Sequence, residues 1–308
     1  MAIRPTVFGS FNEKEMFYSI ESLWQSRFSV YPQLPFCAVF ELDNLSLTEK
    51  EIDFLRKSSI DYTLCTKSGK PLLSIEFDGM GHGFSRNGEY TEIHPSKAKN
   101  RKLKLDLKLK LAGIEQFPFY VVSYDEKVPI SEDIHLTVVD GIIGQTLKHR
   151  DFPQIAKEWV DDEKSVLDNL SESERHERIQ DIVIGAEVIA ELNWDPIAKR
   201  SSDLEGDLRR KGFYKGDTSE FISDPELPDF DWNTGTGFEA RIQAFKNMIR
   251  CGCRYTVHTA FGDITETAWV RNFAGSEVSP LTIAENIASL LAYNRALKLA
   301  PRPPNGNI

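Results

Sequence analysis

Met16, Phe17, Ile20 and Leu23 recur at helical spacing behind Ser10 and Glu13, two residues placed as in a capping box. The spacing predicts a first helix over about residues 11–25. FSVYPQLPFCAVFEL then reads as extended chain broken by Pro32 and Pro35, and SLTEKEIDFLRKS predicts a short helix with Ser46 or Thr48 near its cap. Two extended runs, IDYTLCT and PLLSIEFDG, flank the turn-prone KSGK, the pattern of a β-hairpin or of neighbouring antiparallel strands. GMGHGFSRNGEYTEIHPS is polar and reads as a loop, and FPFYVVSY reads as a β-prone strand.

Between that loop and that strand lies a segment whose periodicity and composition conflict. Leu103, Leu105, Leu107, Leu109 and Leu111 alternate with charges, which favours a strand. Leu and Lys are strong helix formers, no β-branched residue interrupts them, and Gly113 offers a stop, which together favour a helix. Composition decides for the helix. The order over residues 10–125 becomes α-β-α-β-β-α-β, an α/β sandwich with a mixed sheet.

Farther along, helices are predicted over about 132–150, 153–168 and 173–192. Residues 213–237 carry six acidic residues and one Lys among many Gly, Pro and Ser, and read as a loop or linker. A helix near 238–250, strands near 253–261 and 264–271, and a helix near 281–299 complete the pattern, before a frayed tail PRPPNGNI. This divides the chain into an α/β domain over 1–127, a helical connector over 128–170 and a mainly helical α+β domain over 171–308.

Composition narrows the function classes. No apolar run among the 308 residues approaches the roughly 20 that a membrane span needs, and MAIRPTVFGSFNEKE lacks the apolar centre of a secretory signal. Cys37, Cys65, Cys251 and Cys253 form no disulfide framework and no zinc spacing, so a reduced, cytoplasmic protein without membrane partners is expected. Charge is uneven. Of the net −10, residues 1–150 hold −1 and residues 151–308 hold −9. Within the near-neutral half, Lys97, Lys99, Arg101, Lys102, Lys104, Lys108 and Lys110 face a single Asp106, a basic stripe fit to meet phosphate. The acidic half suits protein contacts, either with a second copy of the chain or with a partner subunit.

The constellation with chemical content is Asp61 at the start of one strand and Glu76 and Asp78 at the end of the next. Glu76 and Asp78 share a face because strand side chains alternate. Converging carboxylates with room for water and a phosphate oxygen suit Mg²⁺. A solvated hairpin with ordinary surface acids accounts for the spacing equally well.

IDYTLCTKSGKPLLSIEFDGMGH, preceded by FSVYPQLPF and followed by a basic helix ending in LAGIEQFPFYVV, resembles the PD-(D/E)xK nuclease superfamily. It is most similar to bacterial nuclease-like domains related to the very-short-patch-repair endonucleases. The resemblance covers about residues 10–125 and implies a restriction-endonuclease-like core. It implies metal ligation by Asp61, Glu76, the carbonyl of Phe77 and Glu13, although a capping role explains Glu13 as well. Asp78 stands where the commonest motif has Lys. The resemblance then shifts the catalytic cation to the following helix, with Lys104 first and Lys102 next. His82, Arg86, Lys97, Arg101 and Lys102 are the expected contacts to nucleic acid.

The function so implied is that of a Mg²⁺-dependent endodeoxyribonuclease, with Mn²⁺ as a substitute metal, in restriction, repair or phage defence. Asp61, Glu76, Asp78 and Lys104 are its expected catalytic residues. The missing motif Lys motivates the rival reading, a catalytically degenerate nuclease fold that binds nucleic acid or serves in assembly.

Overall fold

The computed structural model describes residues 8–42, 47–78, 82–84, 90–92, 95–228, 240, 244, 248–273 and 278–301. The chain forms two compact units, Met1–Val128 and Pro129–Ile308. The helical stretch expected as a connector over 128–170 falls, from Pro129 on, within the second unit.

In the first unit, α1 (Phe11–Trp24) starts where Ser10 accepts the Glu13 N–H at 3.2 Å, and it buries Met16, Phe17, Ile20 and Trp24. Strand β1 (Ser29–Pro35) ends in a single 3₁₀ turn at Phe36–Ala38, and α2 (Glu49–Arg56) opens on a capping box that joins Thr48 and Glu51. Strands β2 (Ser59–Cys65) and β3 (Pro71–Asp78) follow, joined by a tight turn in which Gly69 takes φ +91°. The stretch read as a loop carries two short paired strands, β4 (His82–Phe84) and β5 (Tyr90–Glu92). Helix α3 (Pro95–Ile114) crosses back to β6 (Phe119–Ser123).

The sheet runs β1-β2-β3-β6, antiparallel between β1, β2 and β3 and parallel between β3 and β6. A parallel pair needs a crossover, and α3 supplies it. The expected α-β-α-β-β-α-β order and mixed sheet flanked by helices are therefore present.

The basic segment is a helix, and its leucines show why the pattern misled. Leu103 is 58% exposed, Leu105, Leu107 and Leu109 are half-buried, and only Leu111 is fully buried. Leu111 and Ala112 anchor the helix against Phe36, Leu55, Ile60, Phe119 and Val121. Gly113 does not end it. Gln116 takes the left-handed position at φ +51°, and the Phe117 N–H closes the turn on the Ala112 carbonyl at 2.8 Å.

The second unit opens with α4 (Val138–Asp162), a single helix that runs through the expected break between residues 150 and 153 and contains Pro153. Contacts on both sides hold it together, because Lys148 pairs with Glu187 at 2.9 Å and Trp159 packs on Gly185. A short turn α5 (Lys164–Leu167) leads to α6 (Glu172–Trp194), and α7 (Pro196–Arg210) follows at once. The sequence reading missed α7, although Asp195 at its cap and Pro196 in its first turn are an ordinary start signal.

An antiparallel sheet β7-β8-β9 comprises β7 (Tyr214–Asp224), β8 (Arg250–Thr259) and β9 (Gly262–Arg271), with α8 (Pro280–Leu299) packed on β8 and β9. Strand β7 occupies the first part of the stretch read as a linker. It is an edge strand with a largely exposed middle, so its polarity resembled that of a loop. Of the predicted helix near 238–250, the described residues 240 and 244 are helical, and Arg250 already begins β8.

Candidate active site

The site is built where β2 and β3 separate. Their pairing ends at Tyr62 opposite Ile75, and one further step of that register sets Asp61 opposite Glu76. There the Asp61 side chain replaces a ladder bond, with Oδ2 accepting the Phe77 N–H at 2.8 Å. Asp61 Oδ1 accepts from Gln33 Nε2 at 2.9 Å. Gln33 is one of the non-glycine residues with positive φ, at +53°, and stands on β1 between Pro32, paired with Tyr62, and Leu34, paired with Ile60. That backbone conformation costs about 1–2 kcal/mol for a residue with a side chain. Here it accompanies a fixed amide. Ser59 Oγ donates to Gln33 Oε1 at 2.9 Å and so sets which end of the amide faces Asp61.

Lys108 completes the group. Its ammonium donates to the Ser59 carbonyl at 2.7 Å and pairs with Glu76 Oε1. The Lys108 and Glu76 side chains are 10% and 15% exposed. Burial pushes the Glu76 carboxyl up to about 8, and the neighbouring Asp61 charge adds to the rise, while Lys108 opposes it. Little hydrated and beside the Asp61 charge, the Glu76 carboxyl resists ionising even with the Lys108 ammonium on it. A divalent cation would relieve that repulsion, so the donor set fits a hard metal that retains several waters. Among the described residues, no group of three or more acidic, His or Cys side chains is gathered as a metal cage.

Beside Glu76 and Lys108 opens a cleft of about 330 Å³ lined by Phe54, Lys57, Glu76, Asp78, Arg101, Lys104 and Lys108, among others, with Asp61 behind Glu76 and outside the lining. Its charged lining holds four cations against two acids. Arg101, Lys104, Leu105 and Lys108 recur at three- and four-residue steps, so one face of α3 supplies that wall. Lys104 sits over the Phe54 ring, 4.9 Å from its centroid, and not on the carboxylates.

The structure thus brings Asp61, Glu76 and Phe77 together and places Asp78, Lys104 and Arg101 with Glu76 and Phe77, but not Asp61, along the cleft. Lys102, on α3, is exposed and is not among the cleft residues. Glu13 stands one residue removed. Its carboxylate accepts from the Gly9 N–H at 2.8 Å and the Ser10 hydroxyl at 3.2 Å, and it meets Gln33 Nε2 at 3.5 Å, so Gln33 lies between Glu13 and Asp61. The Tyr62 hydroxyl, pushed up by burial, donates to the Glu13 carbonyl at 2.7 Å and ties α1 to the sheet. Arg86 lies outside the described residues, as do the side chains of His82 and Lys97.

Gln33 and Lys108 are the residues that sequence reasoning missed. Nothing in PQLP marks Gln33. Lys108 was open to inference: counting one turn back from the apolar anchor Leu111–Ala112 reaches the helix face that meets the sheet.

Among the described residues no helix is long and apolar enough to cross a membrane. Comparison of the chain with protein-family models, curated proteins and solved structures yields no match.

Proposed function

We propose that the protein is a Mg²⁺-dependent nuclease that hydrolyses phosphodiester bonds, with DNA as its substrate. The observation that carries this reading is the close Asp61–Glu76 pair with the Lys108 ammonium on Glu76, where Glu76 and Lys108 line a cleft whose other cations suit a phosphate backbone.

Asp61 and Glu76 would hold the metal, which when bound lowers the pKa of water and offsets charge at the phosphorus. Gln33 and the Phe77 N–H fix the Asp61 carboxylate, so its geometry is set before substrate arrives. Lys108 supplies positive charge where the phosphorane grows negative. Arg101 and Lys104 would hold the flanking backbone on the α3 wall. Hydrolysis is an in-line displacement: a bond forms from water oxygen to phosphorus as the bond to the leaving deoxyribose oxygen breaks, the water losing a proton to solvent and the leaving oxygen gaining one from it.

The test is cleavage of supercoiled plasmid, linear duplex, single-stranded DNA and RNA by the full chain, in Mg²⁺, Mn²⁺ or EDTA. Metal-dependent cutting that Asp61→Ala abolishes, while salt-sensitive binding persists, supports the reading. Binding without cutting in the unaltered protein would favour the binding-module alternative.

A further inference from the structure

The two edges of the second unit's sheet are built differently. Strand β7 is interrupted by a bulge between Tyr214 and Gly216, carries Lys215 there, and ends at Pro225. These are the devices that discourage an edge from pairing with another chain. Strand β9 has no bulge, Pro or Lys, and its one inward-facing charge, Glu266, is held by Arg295 of α8 at 2.7 Å. It pairs with β8 over ten consecutive positions without a register shift and carries Ile264, Thr265, Thr267, Trp269 and Val270, all β-prone. No described strand pairs with its outer edge.

We propose that this edge pairs antiparallel with β9 of a second copy of the chain, about a two-fold axis through Thr267. Charge selects the register. Odd-numbered residues of β9 lie on the face away from the buried Ala268 and Val270, and Thr265, Thr267 and Trp269 among them are exposed. With Thr267 opposite Thr267, Asp263 of each copy stands opposite Arg271 of the other, Ile264 opposite Val270, and Thr265 opposite Trp269. Both ends of the ladder then carry opposite charges, and on the core face Ile264 meets Val270 while Glu266, paired with Arg295, stands opposite the small Ala268. Centring on Glu266 would oppose Glu266 to itself and Asp263 to Trp269. Centring on Ala268 would leave Asp263 beyond the ladder and Arg271 opposite Thr265. The register through Thr267 alone among these matches Asp263 with Arg271. It keeps α8 of both copies on the same side of a continuous six-stranded sheet. Nothing in this inference depends on the nuclease reading.

The test uses the full chain with the exposed Cys37 replaced by Ser. In that background Thr267→Cys places two thiols opposite each other across the axis, within the Cα separation that a disulfide spans. Thr265→Cys instead puts each thiol opposite Trp269, several residues from its counterpart. Mild oxidation is expected to give a species of twice the 35.0 kDa chain mass for Thr267→Cys and none for Thr265→Cys. Sedimentation of the unaltered protein is expected to show a dimer. Asp263→Arg or Arg271→Asp alone should raise its dissociation constant at least tenfold, and the two together should restore it, with unchanged circular dichroism throughout. A monomer at every concentration, equal cross-linking at both positions, or no rescue in the charge-swapped double variant would each overturn the proposal.

Discussion

Gln33 donates its side-chain amide to Asp61 Oδ1 at 2.9 Å from a backbone held at φ +53°. The amide and the strained conformation are separable. Gln33→Gly removes the amide and relieves the left-handed cost, whereas Gln33→Ala removes the amide and keeps it. Chemical denaturation should find the Gly variant about 1 kcal/mol more stable than the Ala variant. Both should lose the same share of cleavage rate, since both leave Asp61 with the Phe77 N–H alone among the two bonds that fix it.

Glu76 predicts a pH dependence in metal-free protein. Its carboxyl gives up a proton near 4.5 in the unfolded chain and near 8 in the folded one. Between those values folding retains a proton that the unfolded chain has lost, so stability falls as pH rises from about 4.5 to about 8. Thermal melts in EDTA across that window should show the fall in the unaltered protein. A flatter profile is expected for Glu76→Gln, and Mg²⁺ should flatten the unaltered protein's profile as well.

Lys108 and Lys104 stand one turn apart on α3 with different surroundings. Lys108 touches Glu76 and the Ser59 carbonyl, while Lys104 lies over Phe54. Lys108→Met should lower the single-turnover cleavage rate by roughly 10²–10³, the scale for losing a group that stabilises transition-state charge. Lys104→Met should leave that rate within a few-fold. It should instead weaken binding and reduce the slope of log affinity against log salt by about 1, as a backbone contact does.

In the second unit, Gly144 lets α4 approach the start of α7. A Cβ there would lie 2.7 Å from Asp195 Cα and 3.0 Å from the Trp194 carbonyl oxygen. Asp195 caps α7 through the Ile197 N–H at 2.8 Å and accepts from Gln145 and Asn286 in the interior. Gly144→Ala should therefore destabilise this unit by about 1–3 kcal/mol through overpacking against backbone. Limited proteolysis with mass spectrometry would place the new cleavage sites beyond Pro129 and leave the first unit intact.

Much of the first unit was legible because its signals are local. Ser10 with Glu13, Thr48 with Glu51, and the two short strands around Gly69 each carry their own cap, turn or alternation. Asp61 and Glu76 followed from strand ends. Lys108 did not, because leucines at every second position hid which face of α3 meets the sheet, and only the buried end at Leu111 resolves it. Gln33 was invisible for a different reason: its role comes from a left-handed backbone and a partner 28 positions away, and neither leaves a pattern in sequence. In the second unit the errors lay at β7, an edge strand polar enough to read as a linker, at the missed α7, and between residues 150 and 153, where packing on both sides carries one helix through Pro153.

Metal-dependent hydrolysis here requires that Asp61 and Glu76 form a divalent-cation site. Calorimetric titration of the metal-free full chain with Mn²⁺ tests this most directly, with Glu76→Gln and Asp61→Asn measured beside it. The account predicts binding in the unaltered protein accompanied by proton release at pH 7, when the elevated Glu76 carboxyl ionises, and loss of both heat and proton release in either variant. Equal Mn²⁺ binding by all three proteins would contradict it.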